Sequence, residues 1–124
     1  AADLIVIKAA PLGGVRRALA IVEQAQLPAV VSSALETSVG IATGAALAAS
    51  LPTLKYGCGL GTVSLMAEDV AEDPMIAHDG LMRVRAVEPD PQRLERLAAD
   101  EPTRQWWAER VSRCYRVLER IHRG

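Results

Sequence analysis

The chain has 124 residues, half of them hydrophobic, with a formal net charge of -1. That is an ordinary size for one domain with a sizeable core, and the near-neutral balance argues against a general nucleic-acid surface. No apolar stretch reaches the roughly 18 residues of a membrane span, and Cys58 and Cys114 are too few and too far apart for a disulfide framework or a zinc site.

Residues 3–8 are apolar on both strand faces, with Leu4 and Val6 on one and Ile5 and Ile7 on the other. An antiparallel strand with a wet side would alternate, so the pattern predicts a parallel strand covered on both faces. Pro11-Leu12-Gly13-Gly14 breaks the chain and opens a helix. In it, Val15, Ala18, Leu19, Val22 and Ala25 follow at helical spacing. Leu27-Pro28 ends that helix, and 29–33 reads as a second buried strand. A second helix is expected to start near Thr37 or Ser38, either of which can cap it, and to run through small residues to Leu51-Pro52. A third short strand is expected at 55–58, followed by the loop Gly59-Leu60-Gly61-Thr62.

This β/α alternation fits two architectures, a doubly wound open sheet or part of a TIM barrel. In both, ligand groups gather at the C-terminal ends of the strands. The rule singles out Lys8, Ser32 with Ser33, and 59–62, all at one rim. Beyond Met66 the pattern changes, and 10 of the 14 basic and 12 of the 15 acidic residues fall in 67–124. Leu81 to Val87 alternates and predicts an isolated strand. Asp90-Pro91 opens a short helix to about Ala99. Thr103 begins the last helix, whose Trp107, Val111, Cys114, Leu118 and Ile121 share one face and are expected to be plain packing. Two organisational parts are thus expected, 1–66 and a mostly helical 67–124.

Lys8 is the most informative residue. Only it and Lys55 are lysines; every other basic residue is arginine. A lysine closing an apolar strand is costly to desolvate, and it makes sense there if a titratable amine is required, since arginine does not give up its proton. The competing reading is a side chain that snorkels out of the strand end.

Gly57, Gly59 and Gly61 do not have the GxGxxG spacing before a helix, so no dinucleotide fingerprint is present. A loop whose backbone approaches a ligand carboxylate is one reading, and a tight turn is the other. Ser32 and Ser33 can donate to an anion, helped by the N-terminus of the following helix. His78 and His122 lie in settings that do not suggest a base. Glu36 is either a pocket acid or a cap on local amides. Glu68, Asp69, Glu72, Asp73 and Asp79 read as a solvated acidic loop. No credible metal cluster emerges. There is no signal-peptide pattern, and Ala1 is not an initiator methionine, which leaves room for sequence ahead of it. The expected compartment is a reducing cytoplasm, without membrane or nucleic-acid partner.

The stretches IVIKAAPLGG (5–14), VVSSALETSVG (30–40) and GCGLGTVSL (57–65) resemble the o-succinylbenzoate synthase family of the enolase superfamily, which serves menaquinone biosynthesis. The ending RQWWAERVSRCY (104–115) is similar to the actinobacterial branch. The resemblance implies an α/β fold, namely strands six to eight of an enolase-type TIM barrel, plus a C-terminal segment packing back on the capping domain. It implies a carbon-oxygen lyase that dehydrates 2-succinyl-6-hydroxy-2,4-cyclohexadiene-1-carboxylate to o-succinylbenzoate. Lys8 falls on the strand-six lysine, an acid/base or a cation stabilising the enediolate. Ser32, Gly59 and Leu60 match positions near the substrate carboxylate. Many members read Gly-Leu-Asp-Thr where this chain has Gly59-Leu60-Gly61-Thr62, so no side-chain role carries to Gly61. Mg²⁺ is implied, with its ligands and the partner lysine on an N-terminal portion of the same enzyme. The alternatives are an N-succinylamino acid racemase or dipeptide epimerase of the same superfamily, and a non-catalytic anion-binding module.

Overall fold

The computed structural model describes residues 2–123; the side chain of His122 lies outside the described residues. Two compact units divide it, Ala1–Leu94 and Glu95–Gly124.

In the first unit, β1 (Ile5–Ile7) and β2 (Ala29–Val31) pair in parallel with Ile5 opposite Ala29 and Ile7 opposite Val31. The register continues past the ladder, because the Ser32 N–H donates to the Ile7 carbonyl at 2.9 Å. A third strand end joins at one residue only, a parallel bridge between Ser32 and Gly59. The strand expected at 55–58 does not form. Among the described residues no strand pairs with 55–58, and with glycine at 57 that segment lacks the ladder that would hold it extended.

Helix α1 (Val15–Ala25) occupies the expected residues. Its entry depends on glycine: Gly13 and Gly14 hold φ of 85° and 110°, a region side chains avoid. Gly14 closes the turn by donating its N–H to the Ala9 carbonyl at 2.8 Å. The helix stops at Gln26, whose left-handed conformation lets its N–H reach the Val22 carbonyl.

Helix α2 (Ser38–Ala49) follows Thr37 and is nearly all small or apolar. Its alanines and Gly44 let it lie close to the sheet. A Cβ on Gly44 would stand 2.7 Å from Leu60 Cδ2. Ile7, Ala29, Val31, Ile41, Ala45, Leu47, Leu60 and Val63 form the core between the helices and one face of the sheet.

The other face is open. Val6, expected to be covered, is 58% exposed, whereas Ile7 and Val31 are buried. In a parallel sheet this is an inner surface without its cover, and it is the face that carries Lys8 and Ser32.

Residues 66–90 run over this unit without regular structure. The strand expected at 81–87 is absent. In its place a turn with positive φ at Asp79 and Gly80 makes a single antiparallel bridge, His78 to Leu81. The alternation at 81–87 has no partner strand among the described residues, and without one it cannot satisfy its backbone groups as a strand.

Asp69, expected in a solvated acidic loop, is instead 8% exposed. Its Oδ1 accepts from the Ser38 N–H at 3.0 Å and its Oδ2 from the Ala71 N–H at 3.4 Å. The fully buried Ser38 hydroxyl takes the Met75 N–H at 2.7 Å. An anion here satisfies the first turn of α2 and complements its dipole. The clamp ties the loop around Asp69 and Met75 to the start of α2. Helix α3 (Pro91–Arg96) follows, capped by Asp90 Oδ1 on the Arg93 N–H at 2.8 Å.

The second unit is essentially helix α4 (Glu101–Arg123). Asp100 caps it through the Thr103 N–H at 3.0 Å, and the helix begins two residues before the expected start. Arg110 stands over Trp106, 5.5 Å from the ring centroid. The stripe expected to be plain packing is exposed: Trp107, Val111 and Ile121 are each more than half accessible.

Burial works to raise the Asp69 pKa, but the Ser38 hydroxyl and the N–H groups of Ser38, Val70 and Ala71 outweigh it and hold it below the ordinary value of 3.8. A carboxylate depressed in the folded state adds stability that is present above the unfolded pKa and lost as pH falls through the folded one. Asp69→Ala should therefore cost about 1–3 kcal/mol at neutral pH. Asp69→Asn should flatten the loss of stability below about pH 5, measured by chemical denaturation of the full-length protein carrying this segment across pH 3–7.

Candidate active site

The parallel register of β1 and β2, with the single bridge from Ser32 to Gly59, places Lys8, Ser32 and Gly59 side by side. The Gly59 N–H donates to the Val31 carbonyl at 2.8 Å, and the Ser33 N–H donates to the Gly59 carbonyl at 2.9 Å. Lys8 and Ser32 project from the open face because they continue the Val6 and Val30 parity of their strands.

The Lys8 ammonium donates to the Ser33 carbonyl and stands 3.5 Å from Ser32 Oγ. It is half-buried, so it does not snorkel away from the rim. Two of its three N–H directions are engaged there, and a third remains for a ligand on the open face.

Ser32 is the freer of the two serines. Its contacts to Lys8 Nζ and to the Ser33 carbonyl (3.4 Å) are long, leaving the hydroxyl able to turn toward a ligand. Ser33 is different: it is 3% exposed, and its hydroxyl donates to the Gly59 carbonyl at 3.0 Å. It does not serve as a ligand donor. Thr62, which sequence reasoning left without a role, donates its hydroxyl to Ser33 Oγ at 2.8 Å.

Gly59 is where backbone comes closest to the serine. A Cβ there would lie 3.1 Å from Ser32 Oγ, so the glycine keeps the rim open. The Leu60 side chain turns away into the core against Gly44; any part it plays at a ligand is a backbone part. The Glu36 side chain lies over Gly40, whose added Cβ would meet Glu36 Cβ at 2.6 Å. His78 is exposed in the 78–81 turn.

The rim therefore offers one cation and one adaptable hydroxyl beside a glycine that leaves them room, a set suited to a carboxylate. It is poorly suited to a divalent cation. Among the described residues no three His, Cys, Asp or Glu stand together to hold one, and the groups beside Lys8 are hydroxyls and carbonyls. Among those residues no helix is long and apolar enough to cross a membrane.

Comparison with solved structures identifies the class. Muconate lactonizing enzyme from Pseudomonas putida aligns with 80% of this chain at 28% identity and a TM-score of 0.69, using 30% of its own length. The 2-chloromuconate cycloisomerase of Rhodococcus opacus 1CP aligns with 81% of the chain at 29% identity and a TM-score of 0.69. The fold is that of part of an enolase-superfamily barrel. In sequence the chain is similar to the o-succinylbenzoate synthases of mycobacteria. It is 53% identical to that of Mycolicibacterium smegmatis over 118 residues, 95% of the chain. It is 52% identical to those of Mycobacterium ulcerans and Mycobacterium leprae. The chain spans about a third of the length of these relatives, 36% for the first. No family profile matches it. The resemblance carried by the three motifs is borne out.

Because the Gly59 Cβ position crowds Ser32 Oγ, Gly59→Ala should weaken carboxylate binding about tenfold, the equivalent of one hydrogen bond. Calorimetry with succinate as probe, on the full-length protein carrying this segment, measures the loss. The melting temperature should stay within a few degrees.

Proposed function

We propose that this chain supplies the strand-six-to-eight face of an o-succinylbenzoate synthase. In this reading it contributes to dehydrating 2-succinyl-6-hydroxy-2,4-cyclohexadiene-1-carboxylate. The observation that carries the reading is the position of Lys8: an amine at a strand end, beside Ser32 and Gly59, on the one sheet face left uncovered.

In this reaction the substrate loses the proton α to its carboxylate and then hydroxide from the neighbouring ring carbon, which leaves as water. Negative charge builds on the carboxylate between the two steps. Lys8 is suited to meet that charge because its ammonium sits on a partly desolvated rim, where a fixed cation acts more strongly than in bulk water. It is also able to give up or take a proton, which arginine is not. Ser32 and the Leu60 backbone, in the space that Gly59 leaves open, hold the far carboxylate of the succinyl arm and so orient the ring over Lys8.

The open face argues for a second contributor. A sheet with Val6 exposed and free edges on both sides does not enclose a substrate or exclude water. We assign the covering role to the portion of the relatives that this chain does not span. The partner base and any Mg²⁺ ligands belong there as well, since among the described residues no three His, Cys, Asp or Glu stand together to hold a metal. On this reading 1–66 is barrel, and the helical end of 67–124 returns to a capping domain, which would cover the exposed stripe of α4. The cytoplasm is the proposed compartment.

Lys8→Ala in the full-length protein should lower turnover by about a thousandfold or more. Lys8→Arg should not restore it, although the charge is kept. Steady-state rates with the cyclohexadiene, and circular dichroism to verify the fold, make the test. Turnover within tenfold of the unsubstituted protein in Lys8→Ala would remove the assignment.

A further inference from the structure

Lys8 rests on a carbonyl whose own position is fixed from the far side. The Ser33 carbonyl takes the ammonium, and it is the last backbone group of the β2 rim before the chain turns through Leu35 at φ 63°. A terminal peptide beside such a turn would ordinarily be free to rotate. Here Ser33 is tied twice to one atom: its N–H and its hydroxyl both donate to the Gly59 carbonyl, at 2.9 and 3.0 Å. The hydroxyl is in turn set by Thr62, which donates to it at 2.8 Å.

We propose that Ser33 and Thr62 are a positioning pair that fixes the carbonyl under the Lys8 ammonium, and so sets where that ammonium stands relative to Ser32 and Gly59. The inference rests on the reading of Lys8 as the working amine. Neither residue need touch the substrate. Ser33 is buried, its one proton is committed to Gly59, and the Thr62 proton is committed to Ser33. The chain Thr62, Ser33, Gly59 crosses the two strand ends that lie beside the lysine, and it has a fixed direction of donation. Removing the threonine hydroxyl leaves Ser33 Oγ without its donor and frees it to swing off Gly59. The carbonyl below Lys8 then loses one of its two anchors. Displacements of this kind, even well under an ångström-scale rearrangement of the fold, are costly for a group that must meet charge at one point.

The pair is tested in the full-length protein carrying this segment, with Thr62→Val, which keeps shape and removes the hydroxyl, and Thr62→Ser, which keeps the hydroxyl. Thr62→Val should lower kcat roughly 10- to 100-fold with KM changed less than about threefold. Thr62→Ser should recover kcat to within about threefold. A second readout needs no turnover: the Lys8 Cε carbon resonance, identified as the signal lost in Lys8→Arg, should move in Thr62→Val and return in Thr62→Ser. An unmoved resonance with unchanged kcat in Thr62→Val would overturn the proposal. So would equal losses in both variants accompanied by a lowered melting temperature, because that pattern reports packing alone. If the unsubstituted protein leaves the cyclohexadiene unchanged, the functional reading fails by itself, and the resonance alone decides the positioning role.

Discussion

Parallel register is the constraint on which everything else depends. Because β1 and β2 pair residue for residue and Gly59 bridges onto the end of β2, Lys8, Ser32 and Gly59 come level. A slip of one residue would turn Lys8 and Ser32 into the core and bring Ile7 and Val31 to the open face. The buried side prevents that slip, since Ile7 and Val31 are among the most buried residues of the chain. The hydrophobic face thus fixes the chemistry of the opposite one.

Helices α1 and α2 explain why the rim is where it is. Gly13 and Gly14 let the chain leave β1 immediately after Lys8 and turn back. The small residues of α2 bring it close enough that Leu60 fills the space over Gly44. That contact pulls the glycine loop in beside Ser32. Asp69 then ties the loop beyond it to the first turn of α2. Each device acts near the C-terminal ends of the strands, where an α/β architecture gathers its ligand groups. Among the described residues no such device fastens the open face of the sheet.

Much of this was legible in the residues. The boundaries of α1 follow from a clear 3.6-residue period between glycine and proline signals, and α2 begins at the expected polar pair, although neither of their side chains caps it and Asp69 takes the first-turn N–H instead. Lys8, Ser32 and Gly59 stand together as strand-end logic predicts. The strands at 55–58 and 81–87 were misread because alternation reports only a face, while a strand also needs a neighbour. Ser33, Thr62 and Asp69 were not legible as a network or clamp. Their roles come from hydrogen bonds spanning 26, 29 and 31 positions, and no local pattern encodes such pairings. The exposed stripe of α4 has the opposite lesson: a correct amphipathic pattern identifies a face to be buried without saying what buries it.

The most direct test is thermal unfolding of the 124-residue chain alone and after mixing with the N-terminal two-thirds of a mycobacterial o-succinylbenzoate synthase, with Mg²⁺ and the cyclohexadiene substrate present. The account predicts a broad, weakly cooperative transition alone. It predicts a single sharp transition, together with formation of o-succinylbenzoate, in the mixture. Sharp cooperative unfolding of the chain alone, unchanged by the added portion and without product, would contradict it.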